Sequence, residues 1–151
     1  MSGGVNSTEL HPVKILIPIS SFVDREKIAH ALHALSVFKN PMVVLFHVIE
    51  VPSRTSPVDT HPFKNEIAVA ENRLVLVADW LRSQNYNAVV RVVIARDTVE
   101  GIVAEANEGD YSFVLMMKRK IRSGIAKLFH KSTSEAVIRS AKCLVLTTLV
   151  D

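Results

Sequence analysis

The stretch that decides the fold is residues 112–148, SFVLMMKRKIRSGIAKLFHKSTSEAVIRSAKCLVLTT. It begins with a short apolar run typical of a buried strand, and it ends with a second one. Between the two runs lie a basic segment, with six Lys and Arg residues at positions 118–131, and a short helical pattern. In open α/β sheets, ligands bind at the loops that leave the carboxyl ends of the strands. The basic segment is therefore the first place to look for function.

The helical part of this stretch begins with a recognisable cap. Ser132 and Glu135 have capping-box spacing, in which the hydroxyl accepts a hydrogen bond from the amide of residue 135 while the carboxylate reaches back. A helix to about residue 140 is predicted to follow. The two flanking strands are predicted over residues 113–117 and 143–148.

Three further apolar runs precede this stretch, and their length and β-branched content favour buried strands. Pro18 cannot donate a backbone hydrogen bond, so it is expected at the end of the first of these strands. Residues 52–62 contain three prolines and no periodicity, which predicts a loop. The strands are predicted over residues 13–19, 42–51 and 88–95.

Helical periodicity fills the intervals between these strands. Apolar residues three to four positions apart predict one helix over residues 24–38 and a longer one from residue 63 to the turn at Asn85. Asp97 or Thr98 can cap a third helix that stops near Gly109. Strands that alternate with amphipathic helices predict an α/β fold, with a parallel sheet and helices on both faces.

Length and composition predict one domain over residues 12–151, preceded by a flexible lead-in over residues 1–11. The chain has no apolar run of the length that a membrane span needs, and its N-terminus has no apolar signal core. Its lone cysteine, Cys143, starts an apolar run and is predicted to be a buried structural thiol in a reducing compartment. A cytoplasmic protein is therefore expected.

The formal net charge is +3, which is too small to indicate a nucleic-acid partner. From Arg119 onward the basic residues far outnumber the acidic ones, but that part of the chain has no zinc-finger or RNA-binding signature. No specific nucleic-acid partner is predicted.

Several segments resemble the universal stress protein family, over nearly the whole chain. ILIPIS resembles the first strand of the family, LFHVIEVP its second strand, RDTVEGIVAEANE the entry to its third helix, and RSGIAKLFHKSTSEAVIRSAKCLVL its C-terminal block. The resemblance implies a five-stranded parallel sheet in the order 3-2-1-4-5. It also implies two subclasses, one that binds ATP and one that does not.

The same resemblance implies a homodimer, which in this family often forms through the last strand. Some members of the family are regulatory domains of transporters or occur next to them, so a transporter or another protein is a candidate partner. The expected dimer seam comprises Cys143, Leu144, Val145, Leu146, Thr147, Thr148 and Leu149.

The ATP-binding subclass carries a glycine motif after strand four: Gly, two residues, Gly, nine residues, then Gly-Ser or Gly-Thr. Such glycines let backbone amides approach phosphates at a helix N-terminus. With the motif anchored on Ser132, its glycine positions fall at Lys118, Ile121 and Lys131. Only the serine is retained, and a shift by one residue recovers no glycine.

Two further positions depart from the ATP-binding pattern. The aspartate that normally ends the first strand is Ser20 here, and a glycine common before the third helix is Arg96. We therefore predict a non-enzymatic regulatory or interaction module that does not bind ATP in the usual mode and needs no cofactor.

The alternative is a sensor of a nucleotide or another phosphate ligand, held by side chains instead of backbone amides. Charge runs of this kind also occur simply as solvated surface, so both interpretations stay open. The candidate ligand-binding residues are Ser20, Arg96, Lys118, Arg119, Lys120, Arg122, Lys131 and Ser132.

Other candidate sites are weaker. His30 and His33 can share a helix face, but the sequence places no third ligand beside them, so no metal site is predicted. His47 lies within a predicted strand and is interpreted as a core histidine with satisfied hydrogen bonds. No Gly-x-Ser-x-Gly elbow surrounds Ser20, and no catalytic residues are predicted.

Overall fold

The computed structural model describes residues 12–20, 24–51, 60–119 and 133–150. Over these residues the sheet has five strands in the order β3-β2-β1-β4-β5, and neighbouring strands are parallel. The α/β fold class and the sheet order 3-2-1-4-5 are confirmed. The elements are β1 (Lys14–Pro18), α1 (Arg25–Ala34), β2 (Met42–Glu50), α2 (Lys64–Ser83), β3 (Asn87–Ala95), α3 (Thr98–Glu108), β4 (Phe113–Arg119), α4 (Thr133–Ser140) and β5 (Leu144–Val150).

The sheet is covered on both faces because its central strands are apolar on both sides. Ile15 and Ile17 of β1 pack with α1 and α2, whereas Leu16 between them packs with α3 and α4. All three side chains are completely buried. This continuous burial is typical of a parallel strand enclosed by helices.

The first helix is shorter than its apolar pattern predicted. It ends at Ala34 instead of residue 38, and the chain reaches β2 through turns that include Asn40, which has a φ of 47°. Phe38 nevertheless packs against the core, with its ring 5.7 Å from that of Phe113. The side chain therefore fits the apolar pattern although the backbone there is not helical.

Strands four and five are longer than predicted. Pairing between them continues to Arg119↔Val150, so Lys118 and Arg119 belong to β4 and not to the loop after it. At the other end, β5 begins at Leu144, and Cys143 lies just before it. Polar residues enter the strand here because each strand offers the other a continuous set of hydrogen-bonding partners.

The remaining boundaries shift by a few residues. A short 3₁₀ turn at His61–Phe63 leads into α2, where a loop to residue 62 was predicted. Asp97 is the residue that caps α3, because its Oδ1 accepts a hydrogen bond from the amide of Glu100 at 2.7 Å.

Candidate functional site

The strand order reverses at the seam between β1 and β4, which is where ligands bind in open α/β sheets. Pairing along this seam is short. It comprises Ile15↔Phe113 and Leu16↔Val114, although both strands continue beyond these residues. The carboxyl ends of β1 and β4 therefore form the candidate site.

Two of the predicted ligand-binding residues lie at this position. Ser20 follows the end of β1 by two residues, and Lys118 is the penultimate residue of β4, so both lie at the carboxyl end of the seam. Ser20 is exposed and Lys118 is half-buried. A hydroxyl and an ammonium group thus flank the ends of neighbouring strands.

Arg96 lies elsewhere along the same edge of the sheet. It follows β3 directly, and β2 and β1 separate β3 from β4. Three strand spacings amount to roughly 14 Å. The backbone of Arg96 is thus well separated from that of Lys118, and the charge pattern alone could not reveal this separation.

The other predicted ligand-binding residues cannot be placed in the site. Arg119 forms the last backbone position of β4. Lys120, Arg122, Lys131 and Ser132 lie outside the described residues. Their role in binding stays a prediction.

His47, next to the candidate site, is half-buried and has a hydrogen-bonding partner. Its Nδ1 lies 2.7 Å from the carbonyl oxygen of Ile19. Because a carbonyl only accepts, Nδ1 carries the proton. This contact ties β2 to the end of β1, just before Ser20.

Acidic side chains of the chain itself accept hydrogen bonds from the residues at the N-terminus of α3. Glu50, the last residue of β2, accepts hydrogen bonds through Oε1 from the amide and the hydroxyl of Thr98, at 2.9 and 2.7 Å. Asp97 accepts a hydrogen bond from the amide of Glu100, two residues after Thr98. These carboxylates offset the partial positive charge of the helix N-terminus, so α3 offers little to an external anion.

Sequence reasoning missed this role of Glu50. The sequence did contain a signal for it: Glu50 is an acidic residue at the carboxyl end of a predicted buried strand, and α3 begins at the same edge of the sheet. By contrast, His30 and His33 are both exposed on α1, and no group of three potential metal ligands occurs among the described residues.

The opposite end of the β1–β4 seam is closed by hydrogen bonds. Lys14 and Ser112 exchange two of them, from Ser112 N to Lys14 O at 2.8 Å and from Lys14 N to Ser112 Oγ at 3.1 Å. The ammonium of Lys14 donates to Gly109 O at 2.8 Å and lies 4.4 Å from the centre of the Tyr111 ring.

Tyr111 extends this closed end toward α3. Its hydroxyl donates to Glu105 Oε1 at 2.7 Å, and Arg91 Nε donates to the other carboxylate oxygen at 2.9 Å. Burial, together with this hydrogen bond and the negative charge of Glu105, raises the pKa of Tyr111 above its usual range.

β5 is an edge strand, and its apolar side chains are incompletely covered. Leu144, Leu146 and Leu149 are 73%, 40% and 59% exposed. Leu144 and Leu146 are in register with Phe113 and Leu115, which belong to the core beneath α1 and α2. These two leucines therefore lie on the α1–α2 face of the sheet.

The other face of β5 is better covered. Val145 packs beside the core beneath α3 and α4, as does Cys143, just before the strand. Cys143 is half-buried instead of buried as predicted, because it lies in the turn before the strand begins. The predicted dimer seam thus combines partly covered and exposed side chains.

Comparison with known proteins identifies the family. The model of the universal stress protein family matches residues 13–148. No curated protein matches the chain.

Among the described residues, no helix has the length and apolar character needed to cross a membrane.

Solved structures of this family share the fold. A universal stress protein from Archaeoglobus fulgidus is 18% identical, with a TM-score of 0.60, and the match covers 89% of this chain and 92% of that one. A universal stress protein in complex with cAMP is 16% identical, with a TM-score of 0.63 and coverages of 90% and 96%. An AMP-bound family protein from Arabidopsis thaliana is 16% identical, with a TM-score of 0.61 and coverages of 93% and 93%. The chain belongs to the universal stress protein family.

Proposed function

We propose that this universal stress protein is a non-enzymatic, cytoplasmic regulatory module that acts through protein contacts, as a homodimer, and without the usual ATP site. The observation that carries the proposal is the edge strand β5. Its sequence LVLTTLV contains no charged residue, and three of its leucines are exposed to 40% or more. Edge strands normally carry charges or prolines that prevent pairing with another chain, and β5 has neither.

A second copy of the chain is the simplest partner for this strand. In a two-fold dimer each β5 would meet an identical β5, so the exposed leucines of one copy would cover those of the other. Strand addition along the free edge would also satisfy its backbone groups. The same edge could serve a transporter or another protein if the contact with a second copy is weak.

The residues at the carboxyl end of the sheet support the absence of the usual ATP site. Lys118 stands at the position of the first motif glycine and is a half-buried residue of β4, so its side chain takes space beside the strand end. The carboxylates of Glu50 and Asp97 already accept hydrogen bonds from backbone amides at the N-terminus of α3. A triphosphate would therefore find neither the motif glycines after β4 nor, at the separate start of α3, a helix N-terminus free of acidic side chains.

The dimer is tested by sedimentation velocity at micromolar concentrations of wild-type protein and two variants. Leu144→Asp places a carboxylate in the proposed seam, and burying that charge is costly, so the variant should be monomeric. Leu76→Asp on α2 is the matched control, because Leu76 is 72% exposed and Leu144 is 73% exposed. The control should remain dimeric. A monomeric wild type would contradict the proposed dimer.

The second candidate function is a nucleotide or phosphate sensor. It is favoured by the AMP and cAMP complexes of proteins with this fold and by the position of Ser20 and Lys118 at the carboxyl ends of neighbouring strands. Acid extraction of purified protein would detect co-purified adenine nucleotide, and calorimetry with ATP–Mg, AMP and cAMP would measure affinity. ATP binding with a micromolar dissociation constant would contradict the proposal that the usual ATP site is absent. No binding of any of the three nucleotides up to millimolar concentrations would rule out the sensor.

A further inference from the structure

The backbone of β1 faces two different strands on its two sides. Ile19 N donates to Phe46 O of β2 at 2.7 Å. In a parallel ladder the amides of alternate residues point toward the same neighbour. The amide of Ile19 faces β2, so the nitrogen of Pro18 faces β4.

The ladder between β1 and β4 stops where Pro18 would have to donate. The last recorded pair is Leu16↔Val114, and the next step requires the amide of residue 18 to donate to the carbonyl of Leu115. Proline has no N–H. On the other side of the strand, pairing with β2 continues through Pro18↔Phe46. The interruption is therefore confined to the β4 side.

Ser20 is the next residue whose amide would face β4. Among the described residues, no backbone hydrogen bond joins Ser20 to β4. The seam thus carries no recorded pairing beyond Leu16, although β4 itself continues to Arg119 and remains paired with β5 there. Leu115 is a buried residue, 3% exposed, and in this register the group on β1 that would donate to its carbonyl is the missing N–H of Pro18.

We infer that Pro18 is a positioning residue that ends the β1–β4 ladder one step early and leaves the carboxyl ends of the two strands free to part at the candidate site. The Leu115 carbonyl is then an acceptor for an N–H or O–H group that enters between the strands. Buried carbonyls demand such a partner. This inference goes beyond the proposed function and does not depend on it, because it rests on the missing N–H of Pro18 and on the sheet register.

Hydrogen exchange measured by NMR on the full chain tests the inference. Pro18→Ala supplies the missing amide, which should pair with Leu115 and exchange within tenfold of the neighbouring Leu16 amide. Because the restored bond would join the strand ends, the amides of Met117 and Lys118 should exchange at least tenfold more slowly than in the wild type. Pro18→Val, with a side chain that favours strands, should behave in the same way.

Pro41→Ala is the matched control. Like Pro18→Ala it raises the conformational entropy of the unfolded chain, but Pro41 lies directly before β2 and away from the β1–β4 seam. It should leave the exchange of Met117 and Lys118 unchanged. An unprotected residue-18 amide in both Pro18 variants would overturn the inference. Equal slowing in the Pro41 variant would also overturn it, since the effect would then not come from the seam.

Discussion

The two ends of the β1–β4 seam differ in how they are held. At the amino end, Lys14 and Ser112 exchange two hydrogen bonds, and the ammonium of Lys14 reaches the carbonyl of Gly109. At the carboxyl end the recorded pairing stops at Leu16↔Val114. Two strands that are joined firmly at one end can part at the other without unfolding. We therefore expect the local free energy of opening to be higher at the amino end of the seam than at its carboxyl end, where ligands bind in open α/β sheets.

The largest expected loss of stability comes from adding a side chain at the closed end, the amino end of the β1–β4 seam. In Gly109→Ala the added Cβ would overlap the Tyr111 ring and lie 2.8 Å from the backbone oxygen of Glu105. Since a backbone atom cannot easily move aside, we expect the free energy of unfolding to fall by about 2 kcal/mol. Urea denaturation measures the loss.

Gly101→Ala provides the comparison for this substitution. Its Cβ would lie 2.7 Å from a methyl group of Val48, but alanine raises the helix propensity of α3 by about 1 kcal/mol. The loss should therefore be smaller than for Gly109→Ala. Unchanged stability of Gly109→Ala would contradict the view that the closed end is tightly packed.

A smaller effect is expected for Tyr111→Phe. It removes the hydrogen bond to Glu105 and should lower the free energy of unfolding by about 1 kcal/mol at neutral pH. Burial raises the pKa of Tyr111, so folding favours the neutral phenol. This contribution is present below the unfolded pKa of about 10 and is lost as the pH rises above it.

Denaturation as a function of pH checks the sign of this effect. Above about pH 10 the wild type should lose stability more steeply than Tyr111→Phe, which cannot ionise at this position. Tyr86→Phe is the control, and it should keep the steep decline. Parallel curves for wild type and Tyr111→Phe would mean that the Tyr111 phenol does not stabilise the closed end.

The smallest effects are expected at the open end. Ser20→Ala and Lys118→Met should each change the free energy of unfolding by less than about 0.5 kcal/mol, because neither side chain has a recorded partner among the described residues. Urea denaturation beside Gly109→Ala measures the contrast directly. A loss above about 1 kcal/mol in either variant would show that the carboxyl end is also needed for stability.

Much of the fold could be predicted from local pattern. The apolar runs located all five strands of the sheet, and the start of α3 at Thr98 agrees with the predicted cap at Asp97 or Thr98. Errors occurred where the pattern and the backbone disagree. Phe38 continues the apolar periodicity of α1 although the helix has ended, and Lys118 is polar although it belongs to a strand.

The candidate site was less predictable, because it depends on which strands are neighbours. The basic residues were grouped by charge, but Arg96 follows β3 and Lys118 lies near the end of β4, and these two strands are three spacings apart. Glu50 was overlooked because its partner, Thr98, is far away in the chain and meets it only through the pairing of β2 with β3.

By itself, the sequence determined the alternation of strands and helices, the family, and the loss of the glycine motif, because these depend on residue type and short-range spacing. Only the tertiary structure decided that the missing donor of Pro18 faces β4 and that Leu144 and Leu146 lie on an edge where their side chains stay exposed. The physical reason is that the neighbour of a backbone group, and the cover over a side chain, are set by sheet order and register between distant segments.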